Sequence, residues 1–148
     1  MERPLWKCGT EEGFSTFIAS LEGRKKLIAL SHTDVDGVGS AKIVDAALQP
    51  DALYLLDYNE VTLALAERLE LEEPTHIVMT DLSVKKEFVD KLGTFARVLI
   101  IDHHQFTDDV NTQHITFLNA QGMCATYLSA YLLRQVKDLS SWDWLIAV

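Results

Sequence analysis

Val98-Leu99-Ile100-Ile101-Asp102-His103-His104 reads VLIIDHH: four apolar residues run straight into an acid and two adjacent histidines. Apolar residues without polar alternation suit a strand covered on both faces, as in a parallel sheet flanked by helices. This strand takes in 96–102. Working backwards, SVKKEFVDKLG at 83–93 reads as a helix capped by Ser83 and stopped by Gly93. THIVMTD at 75–81 is a strand that starts after Pro74, and VTLALAERLELE at 61–72 is a helix. ALYLLDY at 52–58 is a strand. VGSAKIVDAALQ at 38–49 places Val38, Ala41, Val44, Ala47 and Leu48 at helical spacing and is closed by Pro50. KKLIALS at 25–31 is the first strand, preceded by a short amphipathic helix at 12–21 that Gly23 ends. Working forwards, HITFLN at 114–119 adds a short strand, and MCATYLSAYLLRQV at 123–136 is a helix with few charges, buried over much of its surface. The last residues, WDWLIAV, form an apolar tail, either folded into the core or part of something longer. Strand and helix alternate, so the expected fold is α/β: a parallel sheet of four to five strands covered by helices on both faces, with right-handed crossovers.

Bulk properties narrow the functional classes. With 148 residues the chain fits one domain with a real core. Its formal net charge of −9 argues against a broad electrostatic grip on long duplex DNA, which needs Lys and Arg. It leaves room for a short polyanion bound through metal ions. Cys8 and Cys124 form no CxxC or zinc pattern and read as reduced thiols, although spacing leaves a disulfide between them open. No signal-peptide core and no run of membrane-spanning length is present, so a cytoplasmic location away from membranes is expected.

In an open parallel sheet, ligands bind at the carboxyl ends of the strands. Those ends carry His32, Asp34 and Asp36 after the first strand, Asp57 and Asn59 after the second, Asp81 after the third, and Asp102, His103 and His104 after the fourth. Clustered carboxylates repel one another unless cations intervene. Mixed carboxylate and imidazole ligands suit Mn²⁺, Zn²⁺ or Fe²⁺, and purely oxygen sites suit Mg²⁺. There are enough ligands for two ions sharing a carboxylate, the arrangement that clamps in-line displacement at phosphorus. Each piece also has a plainer explanation. HTDVDG could be a polar turn in which Asp34 or Asp36 caps the next helix, Asp81 could be a cap, and the histidine pair could bond the loop backbone. Asp57 and Asn59 could only shape their loop. His76 and His114 read as structural, and Trp6, Trp142 and Trp144 as packing residues or a partner surface. The three main pieces together favour chemistry.

SHTDVDGVGS at 31–40, Asp81 after HIVMT, and Asp102-His103-His104 resemble, in order and spacing, the first three motifs of the DHH phosphoesterase superfamily. That superfamily includes RecJ-like exonucleases, nano-RNases, pAp phosphatases, cyclic-dinucleotide phosphodiesterases and manganese-dependent pyrophosphatases. TDVDG and the helix GMCATYLSAYLL followed by WDW are most similar to the nano-RNase branch. The resemblance runs from about residue 25 to the end. It implies two Mn²⁺ ions, with Mg²⁺ as the alternative. His32 and Asp34 would bind the first ion, Asp36 and His103 the second, and Asp81 would bridge them. His104 would contact the scissile phosphate, and Asp102 would be a ligand or would orient the histidines.

The resemblance implies hydrolysis of phosphodiester or phosphomonoester bonds in short oligonucleotides or small nucleotides. The alternatives are a pyrophosphatase or polyphosphatase, a cyclic-dinucleotide phosphodiesterase, or an inactive domain that binds nucleotide or a protein partner. A homodimer is among the partners expected. Two departures stand out. In the superfamily the fourth-motif Asp follows a further strand, which the resemblance places at WLIAV, 144–148, so that Asp would fall just past Val148, with Asp143 a poor substitute, and no smaller C-terminal substrate-binding domain with its glycine-rich motif follows. The chain is therefore expected to be the catalytic N-terminal domain alone, from a fragment or a truncated gene.

Overall fold

The computed structural model describes residues 1–146. Five strands, β1 (Leu27–His32), β2 (Ala52–Leu56), β3 (His76–Thr80), β4 (Arg97–Asp102) and β5 (Ile115–Asn119), form one sheet in the order β2-β1-β3-β4-β5, and every neighbouring pair is parallel. The helices are α1 (Glu11–Ser20), α2 (Val35–Leu48), α3 (Leu63–Leu71), α4 (Lys86–Gly93), α5 (Ala125–Leu133) and α6 (Asp143–Ile146). No helix among the described residues is long and apolar enough to cross a membrane.

Each central strand feeds two cores because alternate side chains point to opposite faces. Leu27, Ala29, Val78, Leu99 and Ile101 pack with Phe14, Phe17, Ile43, Val44, Leu128 and Leu132 beneath α1, α2 and α5. Ile28, Leu30, Ile77, Met79, Val98 and Ile100 pack with Leu65, Leu69, Phe88 and Leu92 beneath α3 and α4. Coverage on both faces is why these strands show no polar alternation.

The edges of the sheet differ. At β5 the N-terminal segment is stitched on: the Lys7 and Cys8 amides donate to the Asn119 carbonyl at 2.7 and 3.3 Å, and the Asn119 amide donates to the Cys8 carbonyl at 3.1 Å. The Tyr127 hydroxyl also donates to the Glu2 carbonyl at 2.6 Å. At the other edge, β2 pairs only with β1 among the described residues. Cys8 and Cys124 are free thiols.

Several expectations need correction. α2 starts at Val35, not 38, because Asp34 caps it, its side chain accepting from the Gly37 amide at 2.8 Å. Ser83 does not cap α4. That helix starts at Lys86 after Lys85, with no side-chain cap, because Lys85 Nζ donates to the carbonyls of Tyr58 and Val61 at 2.8 and 3.1 Å and anchors the connection elsewhere. The expected strand at 144–148 is instead the short helix α6 up to Ile146, because Leu145 and Ile146 pack against the core beneath α1, α2 and α5 rather than along a sheet edge. Residues 147–148 lie outside the described residues.

Candidate metal centre

The carboxyl ends of β1, β3 and β4 lie side by side at the middle of the sheet, so the residues leaving them converge. His32 is the last residue of β1, Asp81 follows β3, and Asp102 ends β4. Beneath them a buried hydroxyl network fixes β1, β3 and α2 together: Ser31 Oγ donates to the Gly37 carbonyl at 2.7 Å, and Thr80 Oγ1 donates to Ser31 Oγ at 2.8 Å. Gly37 is required here, since a β-carbon would run into the His32 carbonyl.

Two groups of side chains could each hold an ion: His32, Asp34 and Asp81, and then Asp81, Asp102, His103 and His104. Asp81 is common to both. It is only 1% exposed, its backbone takes φ +56°, and its Oδ1 accepts from His103 Nε2 at 3.1 Å while Oδ2 has no hydrogen-bond partner. His32 Nδ1 is likewise buried and unpartnered. It lies 3.0 Å from Asp34 Oδ2 but off the line a hydrogen bond needs, and 4.0 Å from Asp81 Oδ2, beyond hydrogen-bond distance. A buried carboxylate oxygen and a buried imidazole nitrogen that lie 4.0 Å apart, neither with a hydrogen-bond partner, have the donor set of a divalent cation. Burial first, and then the neighbouring Asp36 and Asp34, raise the Asp81 carboxyl to about 6 despite its bond from His103.

Asp36 approaches the cluster from the first turn of α2. It is absent from both groups, yet its Oδ2 lies 3.3 Å from His103 Nε2. The same carboxylate caps the start of α5: Oδ2 accepts from the Ala125 amide at 2.9 Å, and Oδ1 accepts from the Thr126 amide and hydroxyl, each at 2.8 Å. Burial opposes the charge, but the bonds from His103, Thr126 and Ala125 outweigh it and hold Asp36 well below the usual carboxylate range. His103, between Asp36 and Asp81, is raised to about 10 by those two acids against the opposing effect of burial. In the metal-free protein its proton supplies the positive charge that two facing acids require.

His104 Nδ1 donates to Asp102 Oδ1 at 2.7 Å, and its carbonyl accepts from Asn119 Nδ2 at 2.8 Å. Burial raises the Asp102 carboxyl, with His104 and His103 opposing. Asp143 opens α6 and belongs to neither group. Asp57 shapes its loop by accepting from the Thr33 hydroxyl at 2.7 Å and capping the short turn Tyr58–Glu60. His76 is structural, with Nε2 against Ser20 Oγ at 3.1 Å and its ring edge-on to Phe17. Trp142 and Trp144 line an apolar groove of about 640 Å³ beside Asp34, next to the site rather than in it. Two participants were missed from sequence: Tyr58, which lies against His32 and His104, and Asn119, which holds the His104 backbone. Tyr58 sits directly between Asp57 and Asn59 at a strand end, and that position was the available signal.

The fold and this cluster define a phosphoesterase-like α/β domain with residues able to coordinate a metal ion. The DHH family, N-terminal domain, matches residues 26–144, and the chain belongs to the DHH family. No curated protein matches it in sequence. Among solved structures, it is similar to exonuclease RecJ bound to manganese, with 17% identity and a TM-score of 0.68 over 94% of this chain and 41% of that one. RecJ in complex with Mn²⁺ from Thermus thermophilus gives 15% identity and a TM-score of 0.63 over 93% and 23% of the two chains. CDC45 from Entamoeba histolytica gives 15% identity and a TM-score of 0.67 over 93% and 31%. The chain thus spans less than half the length of these structures.

Proposed function

We propose that this chain carries the catalytic site of a metal-dependent phosphoesterase acting on phosphodiester or phosphomonoester bonds of short oligonucleotides or small nucleotides. The observation that carries this reading is Asp81, a buried carboxylate shared by two groups of ligands and left with an unpartnered oxygen facing an unpartnered His32 nitrogen. His32 and Asp34 would hold one ion and Asp36 and His103 a second, with Asp81 common to both. Divalent ions, Mn²⁺ foremost for this mixed oxygen and nitrogen set, would supply charge neutralisation at phosphate and a water acidic enough to attack at neutral pH. The similar RecJ structures contain manganese, which agrees with that choice.

The protein's own contribution is placement. Asp34 caps α2 through Oδ1 and keeps Oδ2 toward His32. Asp36 is fixed by α5 and offers its remaining lone pair toward His103. Asp102 holds His104 in the Nδ1–H form, leaving Nε2 as the group that would meet a phosphoryl oxygen, donating to it once protonated. Net charge −9 suits a short substrate gripped through ions better than a long duplex.

The test is to incubate the protein with Mn²⁺ and di- to pentanucleotides, pAp, cyclic di-AMP and pyrophosphate. Terminal cleavage of the oligonucleotides, lost in Asp81→Asn, is the expected result. Cleavage of pyrophosphate alone would discard the nuclease assignment. Metal binding without any hydrolysis would make the chain a binding domain.

A further inference from the structure

Tyr58 reaches the site from a different part of the sheet than the acids and histidines around it. It opens the short turn Tyr58–Glu60 just after β2, the edge strand. Its ring stacks on His32, with centroids 4.1 Å apart and planes 14° from parallel. Its hydroxyl lies 3.2 Å from His104 Nε2. Because the Asp102 carboxylate only accepts, the His104 proton sits on Nδ1, and Nε2 accepts from the Tyr58 hydroxyl. The turn itself is pinned: Lys85 Nζ donates to the carbonyls of Tyr58 and Val61, and Glu60 Oε2 accepts from the Asp57 amide at 2.7 Å. One side chain therefore touches both a nitrogen ligand of the first group and the histidine at the opposite end of the site.

We propose that Tyr58 is a positioning residue of this centre, its ring setting the plane of His32 and its hydroxyl setting the orientation of His104, whose tautomer Asp102 fixes. This rests on the phosphoesterase reading for its consequence in catalysis, but not for its structural content. The two jobs use different parts of the side chain, so they separate by substitution. Tyr58→Phe keeps the stack and removes the hydroxyl. Tyr58→Leu removes both. Lys85→Met leaves the ring intact and frees the turn that carries it.

Three readouts test it. The first is long-range ¹H–¹⁵N correlation of the imidazole nitrogens in the metal-free protein. Tyr58→Phe should move His104 Nε2 toward the value of a free acceptor while His76 and His114 stay in place. The second is Mn²⁺ affinity by calorimetry. It should be unchanged in Tyr58→Phe and about 10-fold weaker in Tyr58→Leu, the scale typical of residues that orient a ligand, with Lys85→Met between them. The third is steady-state kinetics with Mn²⁺: Tyr58→Phe should lower kcat by roughly 10-fold at little change in KM. Parent-like His104 resonances in Tyr58→Phe, or parent-like Mn²⁺ affinity in a folded Tyr58→Leu, would overturn the assignment. If the parent binds Mn²⁺ but hydrolyses nothing, the phosphoesterase reading fails, while the resonances and the affinities still decide the role of Tyr58.

Discussion

Asp81 holds a left-handed backbone conformation, which costs an ordinary side-chain-bearing residue roughly 1–2 kcal/mol and which Asp and Asn tolerate best. Asp81→Asn therefore removes the charge without adding the strain of Asp81→Ala. At neutral pH the parent buries an ionised carboxylate whose proton affinity is raised. Metal-free Asp81→Asn should thus be more stable than the parent by roughly 1–3 kcal/mol in chemical denaturation, and Mn²⁺ should no longer raise its melting point. A variant less stable than the parent, or one still stabilised by Mn²⁺, contradicts this. His76 gives the pH dependence. Burial first, and then Arg97 and Arg24, lower its pKa below the usual 6.5, so the unfolded chain takes up its proton more readily than the folded one. The His76 contribution to stability therefore falls as pH drops through 6.5 and levels off below the folded value, while Asp81, with its carboxyl raised to about 6, contributes in the opposite sense. Relative to the parent, His76→Gln should gain stability as pH is lowered through 6.5, read from denaturation curves of both proteins at each pH. The acids and histidines at the strand ends were legible in the sequence because each follows an unbroken apolar run. Tyr58 was not, since its stack on His32 exists only because β2 lies beside β1.

Among the elements, α2 and α5 share the most consequential contact. Asp34 makes one capping bond within its own helix, whereas Asp36 receives three bonds from the start of a helix 89 or 90 residues further along the chain. Bonds to a charged acceptor contribute about 1.5–3 kcal/mol each, and a lone cap about 1. Asp36→Ala should therefore destabilise the metal-free protein by about 2–4 kcal/mol and Asp34→Ala by about 1 kcal/mol, measured by urea denaturation. Equal costs would mean that α5 does not depend on this cap. Gly39 belongs to the same contact, since a β-carbon there would press on the Thr126 side chain. The alternation of elements was legible from apolar runs and helical spacing. The capping of α5 by Asp36 was not, because its partners are ordinary residues far away in sequence. Ser83 misled for the opposite reason: its local pattern is a good cap, but Lys85 ties the backbone to the turn after β2. The strand expected at the final apolar residues came from the resemblance, and with too few residues for periodicity to discriminate, α6 was missed.

At the scale of the whole molecule, ions that bind only the folded state must raise its melting temperature, by about 2.7 kcal/mol in stability at a hundredfold excess over Kd. Millimolar Mn²⁺ added to metal-free protein should show this in a thermal scan, and a folded sample with no shift would speak against the centre. The sheet through which that stabilisation spreads is fastened unequally. β5 is secured by the N-terminal segment, while β2 is held from one side only. Hydrogen exchange should therefore reach the amides of β2 before those of β3, β4 and β5. Like a zipper with one end sewn shut, the domain frays from the β2 side. The first fluctuation to open it carries away the turn bearing Tyr58, while Asp81 and Asp102 stay seated on the central strands. The grip on His104 is then lost and regained many times for each time the acids part, so the centre loosens long before it comes apart.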